Sequence, residues 1–218
     1  MAIGRIAVAG PRPLPILVLA DTSGSMASHG KIDGLNHGIG ELLRSLASDD
    51  EAVLAEPNVG VITFGGHAAE VHTPIAPART VRWSPAVASG MTPMGAAFAI
   101  AREVVEDRAQ VPGNAFRPVL VLVSDGQPND DWESALDALL QSDRASKADR
   151  FALAIGPDAD RAMLAKFTGD REKVLDASGA ADIHRFFRFV TMSVQARSRS
   201  VTPNAVVTPP ALSFDDLR

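Results

Sequence analysis

The chain has 218 residues, of which 46% are hydrophobic and 22% charged, with no cysteine and a formal net charge of −5 at pH 7. This length suits one well-buried α/β domain, and the composition is that of an ordered globular protein rather than a disordered one. The mildly acidic balance provides no electrostatic basis for binding nucleic acid or an anionic membrane, and the lack of cysteine excludes disulfides, thiolate zinc sites and thiol nucleophiles.

The first predicted element is a buried strand at residues 16–20. The apolar run that contains it, residues 14–20, is too short for a signal sequence, lies among prolines and ends at Asp21 rather than at a small-residue cleavage site. No stretch of the sequence approaches the roughly 18 apolar residues needed to cross a bilayer. We therefore expect a cytoplasmic protein in which residues 1–12 form an N-terminal extension.

Further strands are predicted at residues 59–64, 119–124 and 151–155, with short edge strands at residues 68–72 and 173–175. The first three runs are continuously apolar, which is typical of strands covered on both faces of a sheet. Between the strands, apolar residues recur at intervals of three and four, as expected for helices. These residues are Ile32, Leu35, Ile39, Leu42, Leu43 and Leu46, then Ala96, Ala97, Ile100 and Val104, then Trp132, Ala135, Leu136 and Leu139. The alternation predicts an α/β fold: a Rossmann-like, doubly wound, mostly parallel sheet with helices on both faces, in three layers.

The last predicted helix spans residues 180–197 and is expected to close a domain that covers residues 13–197. After it, residues 198–218 are rich in Ser, Thr and Pro, which predicts an extended or disordered tail. The Thr-Pro pairs that begin at Thr202 and Thr208 are candidate phosphorylation or docking points, although a plain unstructured terminus is the preferred interpretation.

Oxygen-bearing side chains follow the first predicted strand in the string Asp-Thr-Ser-Gly-Ser, residues 21–25. An irregular turn there can point Asp21, Ser23 and Ser25 at one position, and the carboxyl ends of the strands are where ligands bind in a doubly wound sheet. Oxygen ligands select hard cations such as Mg²⁺, Mn²⁺ or Ca²⁺. We therefore expect a cation site at the carboxyl edge of the sheet rather than in its core.

Two further strings fall at compatible places in the chain. Ser-Gly-Met-Thr-Pro, residues 89–93, opens a predicted helix, and Ser-Asp-Gly, residues 124–126, ends a predicted strand. Helix capping would explain each string separately, with Asp21 or the neighbouring serines capping the first helix and Thr92 preceding Pro93 at the start of another. Capping does not explain why these residues occur together in this order, so we expect the three loops to converge.

The order and spacing of these residues resemble the metal-ion-dependent adhesion site (MIDAS) of von Willebrand factor A (VWA) domains. The matching pattern is Asp21-x-Ser23-x-Ser25, then Thr92, then Asp125. Over about residues 13–200 the chain also resembles one branch of that family, the TerY-like proteins associated with tellurite resistance. The strings that carry this second resemblance are Ala-Ser-Gly-Met-Thr-Pro-Met-Gly-Ala-Ala (88–97), Arg-Pro (117–118), Ser-Asp-Gly-Gln-Pro-Asn-Asp-Asp-Trp (124–132) and Phe-Phe-Arg-Phe-Val (186–190). Ser124 and Gln127 stand where relatives often carry Thr and Glu, which removes no metal ligand.

The resemblance implies that one divalent cation is bound by Asp21, Ser23, Ser25, Thr92 and Asp125. Mg²⁺ is the preferred ion, with Mn²⁺ or Ca²⁺ as alternatives. The three hydroxyls would contact the ion, and the two carboxylates would act directly or through water. Two carboxylates leave a divalent ion short of anionic ligands, so an acidic side chain of a partner protein can replace a bound water.

The function implied is metal-dependent protein–protein interaction in a bacterial tellurite-resistance or stress-response system, without enzymatic activity. TerY-like proteins are often encoded beside kinase-like and phosphatase-like proteins, which are therefore candidate partners. A monomer is the default oligomeric state.

An alternative function is that of a metal-dependent phosphatase or phosphotransferase with Asp21 as its nucleophile. Haloacid-dehalogenase-like enzymes usually carry a second carboxylate two residues after the first, and here that position is Ser23. The string Gly-x-Ser-x-Gly does not surround Ser25, and the chain contains no P-loop string. The binding-module interpretation is therefore preferred.

Some residues near the motif have structural explanations. Asp130 and Asp131 are expected in the N-terminal turn of a helix, where carboxylates favour the helix dipole. Met91 and Met94 flank Thr92 and fit the rim of a binding surface and the core equally well.

Overall fold

The computed structural model describes residues 11–48 and 54–205. Within these residues, the chain forms six strands and five α-helices, which alternate except where two strands are consecutive. The strands are β1 (Arg12–Asp21), β2 (Ala55–Gly65), β3 (Ala68–Pro77), β4 (Val119–Ser124), β5 (Asp149–Ile155) and β6 (Val174–Ala177). The helices are α1 (Lys31–Ala47), α2 (Met94–Glu106), α3 (Trp132–Gln141), α4 (Arg161–Thr168) and α5 (Ala180–Ser198).

The strands form one sheet in the order β3-β2-β1-β4-β5-β6. Every neighbouring pair is parallel except β2 and β3. Helices pack on both faces of the sheet. The predicted Rossmann-like, doubly wound, mostly parallel α/β fold is confirmed.

The edge strand β3 is longer than predicted and antiparallel to its neighbour. It continues to Pro77, whereas the sequence predicted only residues 68–72. Only Gly66 and His67 separate it from β2. A parallel crossover needs a dozen or more residues, so this short connection forces a hairpin.

Alternate residues of β1 point to opposite faces of the sheet and enter two separate hydrophobic layers. Ile16 and Val18 pack with α1 and α5, whereas Leu17 and Leu19 pack with α2, α3 and α4. All four side chains are buried. Because neither face of the strand meets water, the strand is apolar throughout rather than at every second residue.

The order in which strands are added to the sheet reverses at β1. From β1 the chain proceeds to β2 and β3 on one side, and it later returns to build β4, β5 and β6 on the other. Ligands of doubly wound sheets bind at the carboxyl ends of the two strands that flank such a point. β1 ends at Asp21, and β4 ends directly before Asp125. The topology therefore places two of the predicted ligands on either side of the crevice.

Parts of the two predicted terminal segments lie outside the described residues. Most of the predicted N-terminal extension is not described, and β1 already begins at Arg12. Residues 206–218 of the predicted tail, including Thr208, are also outside. The described part of the tail returns to the domain, where Arg197 Nε donates to the Pro203 carbonyl at 2.9 Å. None of the described helices combines the length and the apolar character needed to cross a membrane.

Candidate metal centre

Three loops meet at the carboxyl edge of the sheet: the loop after β1, the loop before α2 and the loop after β4. Gly24 N, in the first loop, donates to Gly90 O in the second at 2.9 Å. Asn129 N, in the third, donates to Thr92 O at 3.2 Å. Gly90 has a φ of 65°, and a Cβ at this position would lie 2.4 Å from the Cα of Gly66. Only glycine permits this approach, which packs the loop before α2 against the turn between β2 and β3.

Four of the five predicted ligands form one hydrogen-bonded chain. Asp21 Oδ1 accepts from Ser23 N at 2.8 Å, and Ser23 Oγ lies 3.0 Å from Ser25 Oγ. The Ser25 hydroxyl then donates to Asp125 Oδ1 at 2.6 Å. The chain of contacts joins the end of β1 to the end of β4, across the crevice in the sheet.

The fifth predicted ligand, Thr92, faces the same space from the side of α2. A Cβ placed on Gly126 would lie 3.7 Å from Thr92 Oγ1 and 3.9 Å from Ser25 Oγ. The Thr92 main chain is fixed by a hydrogen bond from its N–H to Asn129 Oδ1, at 2.8 Å. The structure therefore gathers oxygen atoms from all three loops around a small space that a side chain at position 126 would enter.

Helix capping does not account for these oxygen atoms. The N-cap residue of α1 is Gly30, so the carboxylate at the end of β1 does not cap that helix. A short 3₁₀ turn at Gly24–Ala27 follows Ser23, whose side chain makes no capping hydrogen bond to it. The N-cap position of α2 is occupied by Pro93, which leaves the Thr92 hydroxyl without a capping role.

The carboxylates of Asp130 and Asp131 contact the N-terminal turns of two different helices. Asp131 caps α3, where it accepts from Ser134 N at 3.4 Å. Asp130, although it is next to Asp131 in the sequence, serves α2, and its two oxygens accept from Gly95 N and Ala96 N at 2.8 and 2.9 Å. This contact holds the start of α2 against the loop after β4. It thereby also positions Thr92, which lies just before the helix.

Replacing Asp130 with Ala is expected to destabilise the domain by about 1–2 kcal/mol, since two amides of α2 lose their acceptor. The start of α2 should then loosen and cation binding should weaken. Differential scanning fluorimetry and calorimetric titration with Mn²⁺ would measure the two effects. The matched control is Asp131→Ala, which removes the cap of α3 and should lower the melting temperature without changing cation affinity. Equal effects of the two substitutions on affinity would refute the coupling between the α2 cap and the site.

Asp21 is the most deeply buried of the candidate ligands, with no exposed surface. Burial raises its pKa from 3.8 to about 6, against hydrogen bonds from the Ser124 hydroxyl and from Ser23, and the nearby charge of Asp125 adds to the rise. Ser124 Oγ donates to Asp21 Oδ2 at 2.6 Å, a role that was not predicted. The sequence did offer a signal for this role, because VWA relatives often carry Thr at the position of Ser124 and both residues have a hydroxyl group.

A lysine supplies a positive charge to the site. Lys31, the first residue of α1, places Nζ 2.6 Å from Asp125 Oδ2, and the two side chains are 17% and 0% exposed. No sequence motif pointed to this residue. The one available signal was a lysine at the start of a helix, where the helix dipole disfavours a cation.

The donor set fits a hard cation. It consists of two carboxylates and three hydroxyls, and every donor atom is oxygen, as Mg²⁺, Mn²⁺ and Ca²⁺ prefer. Across residues 11–48 and 54–205, no three His, Asp or Glu side chains cluster in a way that could hold a metal. The candidate site contains only two carboxylates, and hydroxyls supply its other donor atoms. The burial of Asp21 is a further reason for a cation to bind, because a positive ion would offset the unfavourable charge of this buried carboxylate.

The surface around the site is partly apolar. Met91 is 51% exposed and Val87 is 82% exposed, whereas Met94 is fully buried. The sequence fitted both methionines equally well to the core and to the rim. In the structure, Met94 packs in the core and Met91 lies at the rim beside Thr92.

The family model of the von Willebrand factor type A domain matches residues 16–127, just over half of the 218-residue chain. The matched segment runs from β1 to the loop after β4 and contains all five candidate ligands. Among curated proteins, none matches this sequence.

Several solved structures are similar to this chain. The pilus adhesin SpaC from Lactobacillus rhamnosus GG, in an open conformation, superposes with a TM-score of 0.68 at 15% identity, over 87% of this chain and 31% of the adhesin. Proximal thread matrix protein 1 from the mussel byssus, with a zinc-occupied MIDAS motif, gives 0.64 at 16% identity, over 83% and 48%. A von Willebrand factor type A protein from Catenulispora acidiphila gives 0.61 at 18% identity, over 84% and 42%.

At identities of 15–18%, these likenesses show a shared fold and no more. The chain also spans less than half the length of each of these three proteins. The family match covers the strands and loops that build the crevice, and the sheet has the architecture of the similar structures. This chain belongs to the von Willebrand factor type A domain family.

Proposed function

We propose that this VWA domain binds one divalent cation and uses it to dock an acidic side chain of a partner protein. Asp21, Ser23, Ser25, Thr92 and Asp125 would hold the ion, the hydroxyls directly and the carboxylates directly or through water. The observation that carries the proposal is the convergence at Gly126, where the hydroxyls of Ser25 and Thr92 face one space. When bound, the ion supplies a coordination position that an outside carboxylate can take from water.

Mg²⁺ is the proposed ion, with Mn²⁺ or Ca²⁺ as alternatives. All five side chains offer oxygen, and three of them are neutral hydroxyls, which favours a hard cation over a softer one. The zinc in the MIDAS motif of the mussel protein is a property of that protein.

The apolar rim supports a protein as the docked ligand. Met91, which directly precedes Thr92, and Val87, earlier in the same loop before α2, are both exposed. Methionine is enriched in protein–protein interfaces relative to the rest of the surface. A partner would therefore present an acidic side chain with apolar neighbours.

The burial of Asp21 favours a binding module over an enzyme. Its side chain is 0% exposed, and both oxygens accept hydrogen bonds, from Ser23 N and from Ser124 Oγ. A carboxylate nucleophile has to reach the substrate, and this one faces the interior.

The strings shared with TerY-like proteins support a more specific setting. We place the domain, residues 13–197, in a bacterial tellurite-resistance or stress-response system in the cytoplasm, as a monomer. Its partners would include kinase-like or phosphatase-like proteins. This setting rests on the resemblance of the strings at residues 88–97, 124–132 and 186–190.

Replacing Thr92 with Ala is expected to weaken Mg²⁺ or Mn²⁺ binding about tenfold, equivalent to about 1.4 kcal/mol, because one neutral ligand is lost. The domain should stay folded, since this hydroxyl does not cap α2. Calorimetric titration of the metal-stripped protein would measure the change. The control is Thr92→Ser, which keeps the hydroxyl and should bind within a few-fold of the unmodified protein. Identical affinities for all three proteins would remove Thr92 from the ligand set.

The docking step needs a separate experiment. The immobilised protein would be exposed to a bacterial extract in Mg²⁺ or in EDTA, and the captured proteins identified by mass spectrometry. The proposal predicts a partner that is held by the unmodified protein and by Thr92→Ser in Mg²⁺, and that is lost with EDTA or Thr92→Ala. Metal-dependent hydrolysis of p-nitrophenyl phosphate by the purified chain would instead establish the enzyme.

A further inference from the structure

Both carboxylate oxygens of Asp125 are engaged within the protein. Oδ1 accepts from the Ser25 hydroxyl at 2.6 Å, and Oδ2 accepts from Lys31 Nζ at 2.6 Å. The carboxylate itself is fully buried, and the lysine side chain is largely buried with it. Oδ1 therefore contacts another proposed ligand, Ser25. Oδ2 contacts the ammonium group of Lys31 at the distance of a strong ion pair.

Lys31 occupies this position at an energetic cost to the chain. A cation in the first turn of a helix opposes the helix dipole, and Lys31 is the first residue of α1. The two preceding residues, His29 and Gly30, both have left-handed backbones, with φ of 56° and 67°. His29 is the one non-glycine residue with positive φ among those the structure describes, and such a conformation is unfavourable for an L-residue. The left-handed turn at His29 and Gly30 brings the start of α1 to a position from which Lys31 reaches Asp125.

We infer that Lys31 is a tethered counter-cation of the metal site: its ammonium group neutralises Asp125 when no metal is bound and has to leave when a divalent ion binds. The inference rests on the proposed function, which it deepens. An ammonium group and a divalent ion repel each other strongly at the short distances that one carboxylate imposes, so binding of the ion disfavours the contact between Lys31 and Asp125. Lys31 therefore lowers cation affinity and at the same time stabilises the metal-free domain.

In this arrangement, cation binding replaces one positive charge with another: the divalent ion takes the place of the Lys31 ammonium group beside Asp125. The metal-free site has two neighbouring carboxylates, Asp21 and Asp125, one of which is paired with Lys31. A domain with such a pair tolerates the loss of its metal and binds the ion reversibly. Removing the positive charge should tighten metal binding and weaken the metal-free fold, and a merely structural lysine would produce only the second effect.

The test compares Lys31→Met, which keeps most of the aliphatic stem, with Lys31→Arg, which keeps the charge. Lys31→Gln serves as a second neutral variant in case the methionine variant does not fold. The matched control is Lys147→Met, which breaks an exposed ion pair with Asp143 away from the site. Calorimetric titration of the metal-stripped proteins with Mn²⁺ at pH 7.5 would give the affinities, and scanning fluorimetry in EDTA would give the metal-free melting temperatures.

We expect the neutral Lys31 variants to bind Mn²⁺ at least tenfold more tightly and to melt at lower temperature in EDTA. Lys31→Arg should bind within about threefold, and Lys147→Met within about twofold, of the unmodified protein. If the unmodified protein binds Mn²⁺ and the neutral variants bind it equally well or more weakly, the counter-cation role is refuted while the metal site stands. If neither the unmodified protein nor the neutral variants bind any Mn²⁺, the proposed function fails and the inference with it.

Discussion

Replacing Asp125 with Asn is expected to weaken Mg²⁺ or Mn²⁺ binding by a factor of ~100 or more while the domain remains folded. Unit charges about 4 Å apart interact by about 4 kcal/mol at an effective dielectric constant of 20, and each 1.4 kcal/mol is a tenfold change in affinity. The new amide keeps the size of the side chain and can still accept from the Ser25 hydroxyl. Lys31, which is partly exposed, can turn toward solvent. Calorimetric titration and scanning fluorimetry would measure affinity and stability separately.

The control for Asp125→Asn is Asp158→Asn. Asp158 is an exposed residue in the loop after β5, at the same edge of the sheet, so its replacement changes the net charge equally without touching the candidate ligands. The control should bind the cation within about twofold of the unmodified protein. A comparable loss of affinity in both variants would mean that general surface charge, and not a specific ligand, attracts the ion.

The fold could be predicted from the sequence because its strands are buried on both faces. Continuous apolar runs, such as residues 16–20 and 119–124, distinguish such strands from the alternating strands of a half-exposed sheet. The edge strand β3 lacks this signal because one of its sides meets water, and its length and direction were missed. Its direction depends on the two-residue connection from β2, which a pattern of hydrophobicity does not register.

The candidate ligands could be predicted because they directly follow strands or precede a helix. Asp21 and Asp125 stand at the ends of β1 and β4, and a doubly wound topology brings such ends together. Their burial was not predictable to the same degree. The sequence predicted a site at the edge of the sheet rather than in its core, and it did not indicate that Asp21 is fully buried there, with hydrogen bonds from Ser23 N and Ser124 Oγ.

The contacts that were missed depend on tertiary structure over long sequence separations. Asp130 and Asp131 are equivalent as capping residues when read from the sequence, and only the position of α2 shows that the first of them caps a helix 34–35 residues earlier. Lys31 and Asp125 are 94 residues apart, and their pairing depends on the left-handed turn before α1. Neither relationship leaves a local pattern.

Replacing Asp21 with Asn is expected to stabilise the metal-free domain at pH 8 while abolishing cation binding. Burial is the main cause of the rise in the pKa of Asp21 from 3.8 to about 6. At 1.36 kcal/mol per pKa unit, the charged form costs the fold about 3 kcal/mol, which the neutral amide avoids. The amide oxygen can still accept from Ser23 N, and its NH₂ group can donate to Ser124 Oγ. In EDTA at pH 8, scanning fluorimetry should show a melting temperature higher by roughly 6–12 °C.

The sign of the effect follows from the direction of the pKa shift. Because the folded-state pKa of Asp21 is raised, this group favours folding when it is protonated, and that contribution is complete below pH 3.8 and is lost as the pH rises through about 6. The gain in stability from Asp21→Asn should therefore shrink as the pH falls from 8 toward 4, since the native carboxyl becomes neutral as well. Other groups titrate in the same range, so the comparison is between the two proteins at each pH rather than along one curve. A gain that stays constant from pH 8 to pH 4, or a loss of stability at pH 8, would show that the buried carboxylate is not destabilising, and the electrostatic reason for a cation at this position would fall with it.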